Sequence, residues 1–275
     1  MGTQANGNQP QGPTSVKSDR VRALRRLSQR SFRQQVKKFL AEGPQAVREA
    51  VRHRPDVVVE IYLAEDAADA SRAIANEART AGLPVIEVPE AVLLALTETV
   101  HPQGIAAVCS YLDSEPTELL AKAKLVVLLD RVRDPGNAGT ILRTADAAGA
   151  DAVLLSSESV DLYNGKCVRS SAGSLFHVPV ATGVAAAATL ASARTHDLQV
   201  LAADVAGELS LPEADDVLAG PTLWVFGNEA HGLAAELATA VDHRVSIPIV
   251  GAAESLNLSA AAAVCLYASA FARSS

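Results

Sequence analysis

Between residues 125 and 247 the chain alternates short, mostly apolar runs with segments of helical periodicity. The runs are Leu125–Leu129, Ala152–Leu155, Val200–Ala203, Thr222–Phe226 and Arg244–Ile247. The helical segments are Asn137–Ala148, Ala185–Ala193, Leu233–Ala240 and, after the last run, Leu256–Ala272. A strand with one wet face alternates polar and apolar residues. Runs without that alternation are buried on both faces, as in a parallel sheet covered by crossover helices. No apolar run approaches the roughly 18 residues of a membrane span.

The first half reads as a smaller α/β unit. Val21, Leu24 and Leu27 share one face of a basic amphipathic helix over Asp19–Arg30. Strands are expected at Val36–Leu40, Val57–Leu63, Leu83–Val88 and Ile105–Tyr111, and helices at Pro44–Val51 and Asp66–Ala81. The division expected is a flexible tail over 1–17, a domain over 18–113, a linker over 114–124 and a second domain over 125–275. The first thirteen residues are rich in Gly, Gln and Asn and lack the apolar core of a signal peptide.

Charge is unevenly spread. Residues 1–54 hold twelve Lys/Arg and three acids, a formal +9, which leaves −16 of the total −7 on the other 221 residues. A basic end on an acidic body suits a polyanion, nucleic acid first; the alternative is a solvated basic helix. The three cysteines are dispersed and form no CxxC pair, which argues against a disulfide scaffold or zinc ribbon and for a cytoplasmic location. The six histidines are scattered, no metal-ligand spacing occurs, and no metal is expected. GxGxxG, GxxxxGK[ST] and GxSxG are all absent.

Three glycine-containing loops carry the chemistry. They are Asp130–Gly139, Phe226–Gly232 and Ile247–Ser259, each following an expected strand and leading toward a helix. In an open α/β sheet this edge binds ligands. Each loop alone could be an ordinary turn and helix cap. Together they bring Gly and Asn at three junctions, plus one Arg, one Glu and one Ser, which is a set of donors and acceptors for a small ligand with a cation beside it.

Asn137-Ala-Gly-Thr-Ile-Leu-Arg143, Phe226-Gly-Asn-Glu-Ala-His-Gly232 and Ile247-Pro-x-x-Gly-x-x-Glu-Ser-Leu-Asn-Leu-Ser259 resemble, in order and spacing, the three motifs of the SpoU (TrmH-type) RNA ribose 2'-O-methyltransferases of the SPOUT superfamily. Asp161–Phe176 is similar to the same family, and Lys38–Gly43 and His101–Ala106 to its L30e-like RNA-binding domain. The resemblance covers about Asp19 to Phe271. It implies a trefoil-knotted parallel-sheet methyltransferase domain preceded by that smaller domain. It also implies S-adenosylmethionine as methyl donor and a homodimer.

The resemblance assigns roles residue by residue. Arg143, Asn137, Glu229, Ser255 and Asn257 match the catalytic set. Gly227, Ile247 and Leu256 match the positions around the donor. Arg143 would bind phosphate and the 2'-oxygen, since a guanidinium stays protonated and makes a poor base; otherwise it is a helix-surface arginine paired with Asp146. Glu229 would hold the substrate side or the arginine, and Ser255 would cap the last helix as well as face substrate. From the uneven charge rather than the resemblance, Arg22, Arg25, Arg26, Arg30 and Arg33 would contact RNA phosphates, and Arg169 would either hold an RNA phosphate or face solvent. The RNA expected is 23S rRNA; tRNA, or a non-catalytic RNA-binding assembly factor on the same fold, are the alternatives.

Overall fold

The computed structural model describes residues 12–99 and 102–274. Most of the expected tail (residues 1–11) and His101 lie outside the described residues. The chain forms two compact units that meet in sequence at Tyr111 and Leu112.

In the first unit, α1 (Asp19–Arg25) and α2 (Arg30–Val36) precede β1 (Lys38–Glu42), α3 (Pro44–His53), β2 (Val58–Ala64), α4 (Asp69–Thr80), β3 (Val85–Val88), α5 (Glu90–Leu96) and β4 (Ile105–Ser110). The sheet order is β1-β4-β2-β3, with β4 antiparallel to both neighbours. The single basic helix expected over Asp19–Arg30 is divided. A 3-10 turn at Arg26–Ser28 ends α1, and Gln29 in extended conformation starts α2. The first strand begins two residues later than expected because Lys37 takes φ 52°, which closes α2.

The second unit runs α6 (Pro116–Leu120), β5 (Leu125–Leu129), α7 (Pro135–Ala147), β6 (Ala152–Ser156), α8 (Gly165–Ser170), β7 (Val180–Val184), α9 (Ala186–Thr195), β8 (Gln199–Ala203), β9 (Leu209–Ser210), α10 (Asp215–Leu218), β10 (Thr222–Phe226), α11 (Ala235–Ala238), β11 (His243–Ser246) and α12 (Leu258–Ala272). Its seven strands are all parallel, ordered β7-β6-β5-β10-β8-β11-β9. Every residue of β5, β6 and β10 is buried, as runs without polar alternation require. Strands β5, β6 and β7 step outward in one direction, and β8 then starts on the other side of β5. β10 fills the gap, so the sheet reverses direction beside β5 and β10. Ligands bind at such a reversal, beyond the carboxyl ends of the strands.

The segment read as a linker is tied into this unit. The Ser114 N–H donates to the Val180 carbonyl. Asp113, the last residue of the expected first domain, is tied in as well: its carboxylate accepts from the Thr182 N–H at 2.8 Å and from the buried Tyr163 hydroxyl at 2.9 Å. Helix α12 is anchored by its one buried hydroxyl: Trp224 Nε1 of β10 donates to Ser269 Oγ at 2.9 Å. No helix among the described residues is long and apolar enough to cross a membrane.

Candidate active site

Three loops leave the carboxyl ends of β5, β10 and β11, and the site is made by the bonds between them. The first loop (residues 130–134) enters α7 through Asp134. Asp134 is the N-cap, its Oδ1 accepting from the Asn137 N–H at 2.8 Å, with Pro135 at the first helical position. Lys166 on α8 donates to Asp134 Oδ2 at 2.8 Å. That bond and the Asn137 N–H hold the Asp134 carboxyl below its ordinary range. Helices α7 and α8 pack closely because position 139 is glycine: a Cβ there would lie 2.0 Å from Ser170 Oγ and 2.4 Å from the Cys167 carbonyl.

Glu229 of the second loop closes onto the first. Its Oε2 accepts from the Arg133 N–H and its Oε1 from the Asp134 N–H, each at 3.1 Å. Oε1 also accepts from Asn137 Nδ2 at 3.2 Å. Partial burial pushes this carboxyl upward, but the N–H donors of Asp134, Glu229 and Arg133 with the Asn137 amide outweigh it, so the net shift is downward. Asn137 Oδ1 in turn accepts from Asn257 Nδ2 at 3.2 Å. One relay, Glu229 to Asn137 to Asn257, therefore joins the three loops. Asn228 adds a second tie, donating from Nδ2 to the Arg131 carbonyl at 2.9 Å.

Beside the relay lies a cavity of about 320 Å³, within the usual size for a small-ligand site. Ile247, Ile249, Leu256 and Leu258 give it apolar walls, Gly227 and Gly232 bring backbone to its edge, and Asp204, Glu229 and Ser255 add polar groups. The expected donor positions Gly227, Ile247 and Leu256 thus line one cavity with Ser255 and Glu229. Asn137, Asn257 and Arg143 are not among its lining residues.

The glycine at 227 is required by the loop itself. A Cβ there would sit 2.6 Å from the Gly232 carbonyl and 2.8 Å from the Leu233 nitrogen, so the loop itself has no room for it, whatever the ligand. Gly227→Ala is expected to displace the 227–233 loop. It should weaken donor binding in calorimetry and lower the melting temperature; wild-type values for both would refute the steric argument.

Several residues stand elsewhere than expected. Asn257, not Ser255, caps α12: its Oδ1 accepts from the Ser259 N–H at 2.9 Å, so the helix starts at Leu258. Glu229 holds the first loop rather than Arg143. The alternative pairing of Arg143 with Asp146 does not occur, because Asp146 Oδ2 bonds His177 Nδ1 at 2.8 Å. Arg143 is exposed on α7 with no hydrogen bond or ion pair from its guanidinium among the described residues. Arg169 is exposed on the last turn of α8.

Among the expected RNA contacts, Arg33 is a correction. It is only 2% exposed, and its Nη1 donates at 2.6 Å to the Leu27 carbonyl, one of the acceptors left open where the 3-10 turn ends. Its charge serves the fold of the α1–α2 corner and is withheld from any RNA. Arg22, Arg25, Arg26 and Arg30 are exposed. Arg22 pairs with Asp19, and the Arg26 guanidinium lies 4.0 Å from the centre of the Phe32 ring.

Asp134 and Lys166 hold the site although the motifs do not single them out. Asp followed by Pro before a helical run is an N-cap signature, so Asp134 was readable. Asp204 and Val205, which follow β8 and line the cavity, carried no such signal.

Residues 124–267 match the model of the SpoU rRNA methylase family, and residues 40–114 match that of the RNA 2'-O ribose methyltransferase substrate-binding domain. A Bacillus subtilis protein named 23S rRNA (guanosine(2553)-2'-O)-methyltransferase is 36% identical over 92% of this chain and 96% of its own length. The crystal structure of an AdoMet-bound rRNA methyltransferase from Sinorhizobium meliloti superposes with a TM-score of 0.81 at 31% identity, covering 94% of this chain and 96% of that one. That of the SpoU methyltransferase AviRb from Streptomyces viridochromogenes, in complex with AdoMet, gives 0.82 at 28% identity, covering 93% and 99%.

Proposed function

Because the chain belongs to the SpoU rRNA methylase family, and is thereby an S-adenosylmethionine-dependent RNA ribose 2'-O-methyltransferase, we propose that 23S rRNA is its substrate and that the three-loop cluster is its active site. The observation that carries the site is the Glu229–Asn137–Asn257 relay, which ties three loops together, the second and third of them lining one cavity, and leaves Arg143 unpaired on α7. The substrate rests on those relatives whose names specify a nucleotide class, 23S rRNA guanosine; these do not favour tRNA.

The cavity fits the donor in size and chemistry. Ile247, Leu256 and the Gly227 backbone would hold it, with Asp204 and Glu229 as acidic groups for a cationic ligand. Bound there, S-adenosylmethionine supplies an electrophilic methyl group on a sulfonium. The chain must then orient a ribose 2'-oxygen behind that methyl and stabilise the negative charge developing on the oxygen. Arg143 does both by donating hydrogen bonds to the oxygen and to the neighbouring phosphate, while the hydroxyl's proton passes to solvent water. Asn137 and Asn257 keep the start of α7 and the third loop in register, and Glu229 holds the first loop at its N–H groups.

A trefoil knot around the third loop belongs to this reading. It is supported by the chain path, which leaves the sheet at β11 and returns as α12 against α7 and β10. So does a homodimer through α12. A cytoplasmic location is supported by three cysteines that are all buried free thiols.

The test is donor binding by calorimetry, followed by methyl transfer to 23S rRNA purified from cells lacking the gene. Binding and transfer are expected. RNA binding without donor binding would instead make the protein a non-catalytic RNA-binding factor.

RNA contact in the first unit should come from α1 and α2. Arg25 and Arg30 are exposed there, their guanidiniums without partners among the described residues. Reversing both to Glu is expected to weaken RNA binding and to lower its log–log salt slope by about 0.7–0.9 for each phosphate no longer neutralised. An unchanged slope would make the basic helices a solvated face.

A further inference from the structure

The arginines of the second unit fall into two groups. Arg131 bonds Asp130, Arg194 bonds Asp242, and Arg244 bonds Asp204 and Glu208. Arg273 donates to the Ser269 carbonyl, and Arg169 is also engaged. Only Arg133 and Arg143 have neither a hydrogen bond from the guanidinium nor an ion pair among the described residues. This is unexpected on charge grounds, because residues 112–275 hold nineteen Asp/Glu against ten Lys/Arg. Carboxylates are plentiful, yet the two open guanidiniums both sit on the first loop and the helix it enters.

The backbone under Arg133 is fixed on both sides. Its own N–H donates to Glu229 Oε2, and Asp134 caps α7 and bonds Lys166. On the other side Val132 is buried, its N–H donating to Ser159 Oγ at 3.2 Å and its carbonyl accepting from the Val160 N–H at 2.8 Å. A long cationic side chain is thus carried at the rim of the three-loop cluster by a rigid base. Gripping an anion then orders the side chain alone and requires no further ordering of the loop backbone. Nine steps along cap and helix lead from Asp134 to Arg143, roughly 13 Å of rise at 1.5 Å per residue. Backbones that far apart allow the two guanidiniums to take different phosphates of one strand.

Resting on the reading of the site given above, we propose that Arg133 is a second phosphate-binding residue for the RNA substrate. With Arg143 it grips the strand at two phosphates and sets which ribose is presented to the donor cavity. Arg133 touches no reacting atom; it positions the strand.

The experiment uses the full-length protein, S-adenosylmethionine and 23S rRNA purified from cells lacking the gene. Arg133→Ala is expected to raise KM for this RNA roughly tenfold, the scale of one charge-assisted hydrogen bond. It should lower the salt slope of RNA affinity by about 0.7–0.9, and donor affinity in calorimetry should hold. Arg133→Lys, which keeps the charge, should restore most of the slope. Arg194→Ala, which removes an arginine already bonded to Asp242, should leave the slope unchanged. Wild-type KM and salt slope in Arg133→Ala would overturn the proposal. If the wild-type protein itself fails to methylate this RNA, the functional reading fails instead, and the salt slope still decides whether Arg133 contacts RNA.

Discussion

Replacing Arg143 by Ala is expected to slow methyl transfer by about 10²–10³, the usual cost of removing a preorganised donor aimed at developing negative charge. Donor affinity should be nearly unchanged, since Arg143 does not line the cavity. The expectation rests on chemistry as much as on position. A ribose hydroxyl is a weak nucleophile until its proton leaves, and a guanidinium that stays charged assists by hydrogen bonding to the oxygen rather than by accepting that proton. An arginine already paired on a helix surface would be free of this role. Asp146, the neighbour that could have paired it, is bonded to His177. Arg143→Lys should recover only a fraction of the rate, because an ammonium lacks the planar fork that reaches phosphate and oxygen together. Single-turnover rates on RNA-saturated enzyme give the measurement. A rate for Arg143→Ala within a few-fold of wild type would remove Arg143 from the mechanism.

How much of this was legible in the sequence depended on whether the cause was local. Strands β5 and β10 were bounded to the residue, because each is a run of five positions buried on both faces between turn signals. Helix α8 and strand β7 were not assigned. Gly165, Ser170 and Ser171 blur a helical period over six residues, and β7 contains Gly183. The start of α12 was placed two residues early because Leu256 continues the apolar pattern, whereas Asn257 sets the boundary by capping. The site itself was the least local feature. Asn137 bonds residues 92 and 120 positions away, and no spacing rule reaches that far. Strand-end placement grouped the three loops, and the resemblance of their motifs assigned the individual residues, but neither predicted the bonds between them. Arg33 shows the opposite failure: counting charges treats every arginine as exposed, while the α1–α2 corner needed a donor for the Leu27 carbonyl and took this one.

Replacing Tyr267 and Phe271 together by Asp is expected to convert a dimer into a monomer of 28.5 kDa and to abolish methyl transfer with it. Helix α12 is apolar nearly all round, which requires burial on more than one side. One side is satisfied within the chain: Ala262, Cys265, Leu266 and Ser269 are buried, the last bonded to Trp224. The other is not. Ala260, Val264, Tyr267 and Phe271 fall at spacings of four, three and four, one continuous stripe, and all are exposed, Phe271 by 67%. Large rings on a helix face cost free energy in water and mark a covered surface. In the proposed homodimer a second copy would supply the cover, since the stripe can meet itself across a two-fold axis. A permanent interface of this kind buries at least about 1,200–2,000 Å² in total. Sedimentation at low micromolar concentration reads the assembly, and a melting curve checks that the variant remains folded. The target must be the exposed stripe. Leu266 is 0% exposed within one subunit, so a charge there would unfold the chain rather than separate the subunits. A wild-type protein sedimenting only at 28.5 kDa, or a folded double variant that still sediments as a dimer, would reject α12 as the interface. A folded monomer with full activity would separate assembly from catalysis. The three loops of one chain would then suffice, as the closure of the Glu229–Asn137–Asn257 relay within a single subunit allows.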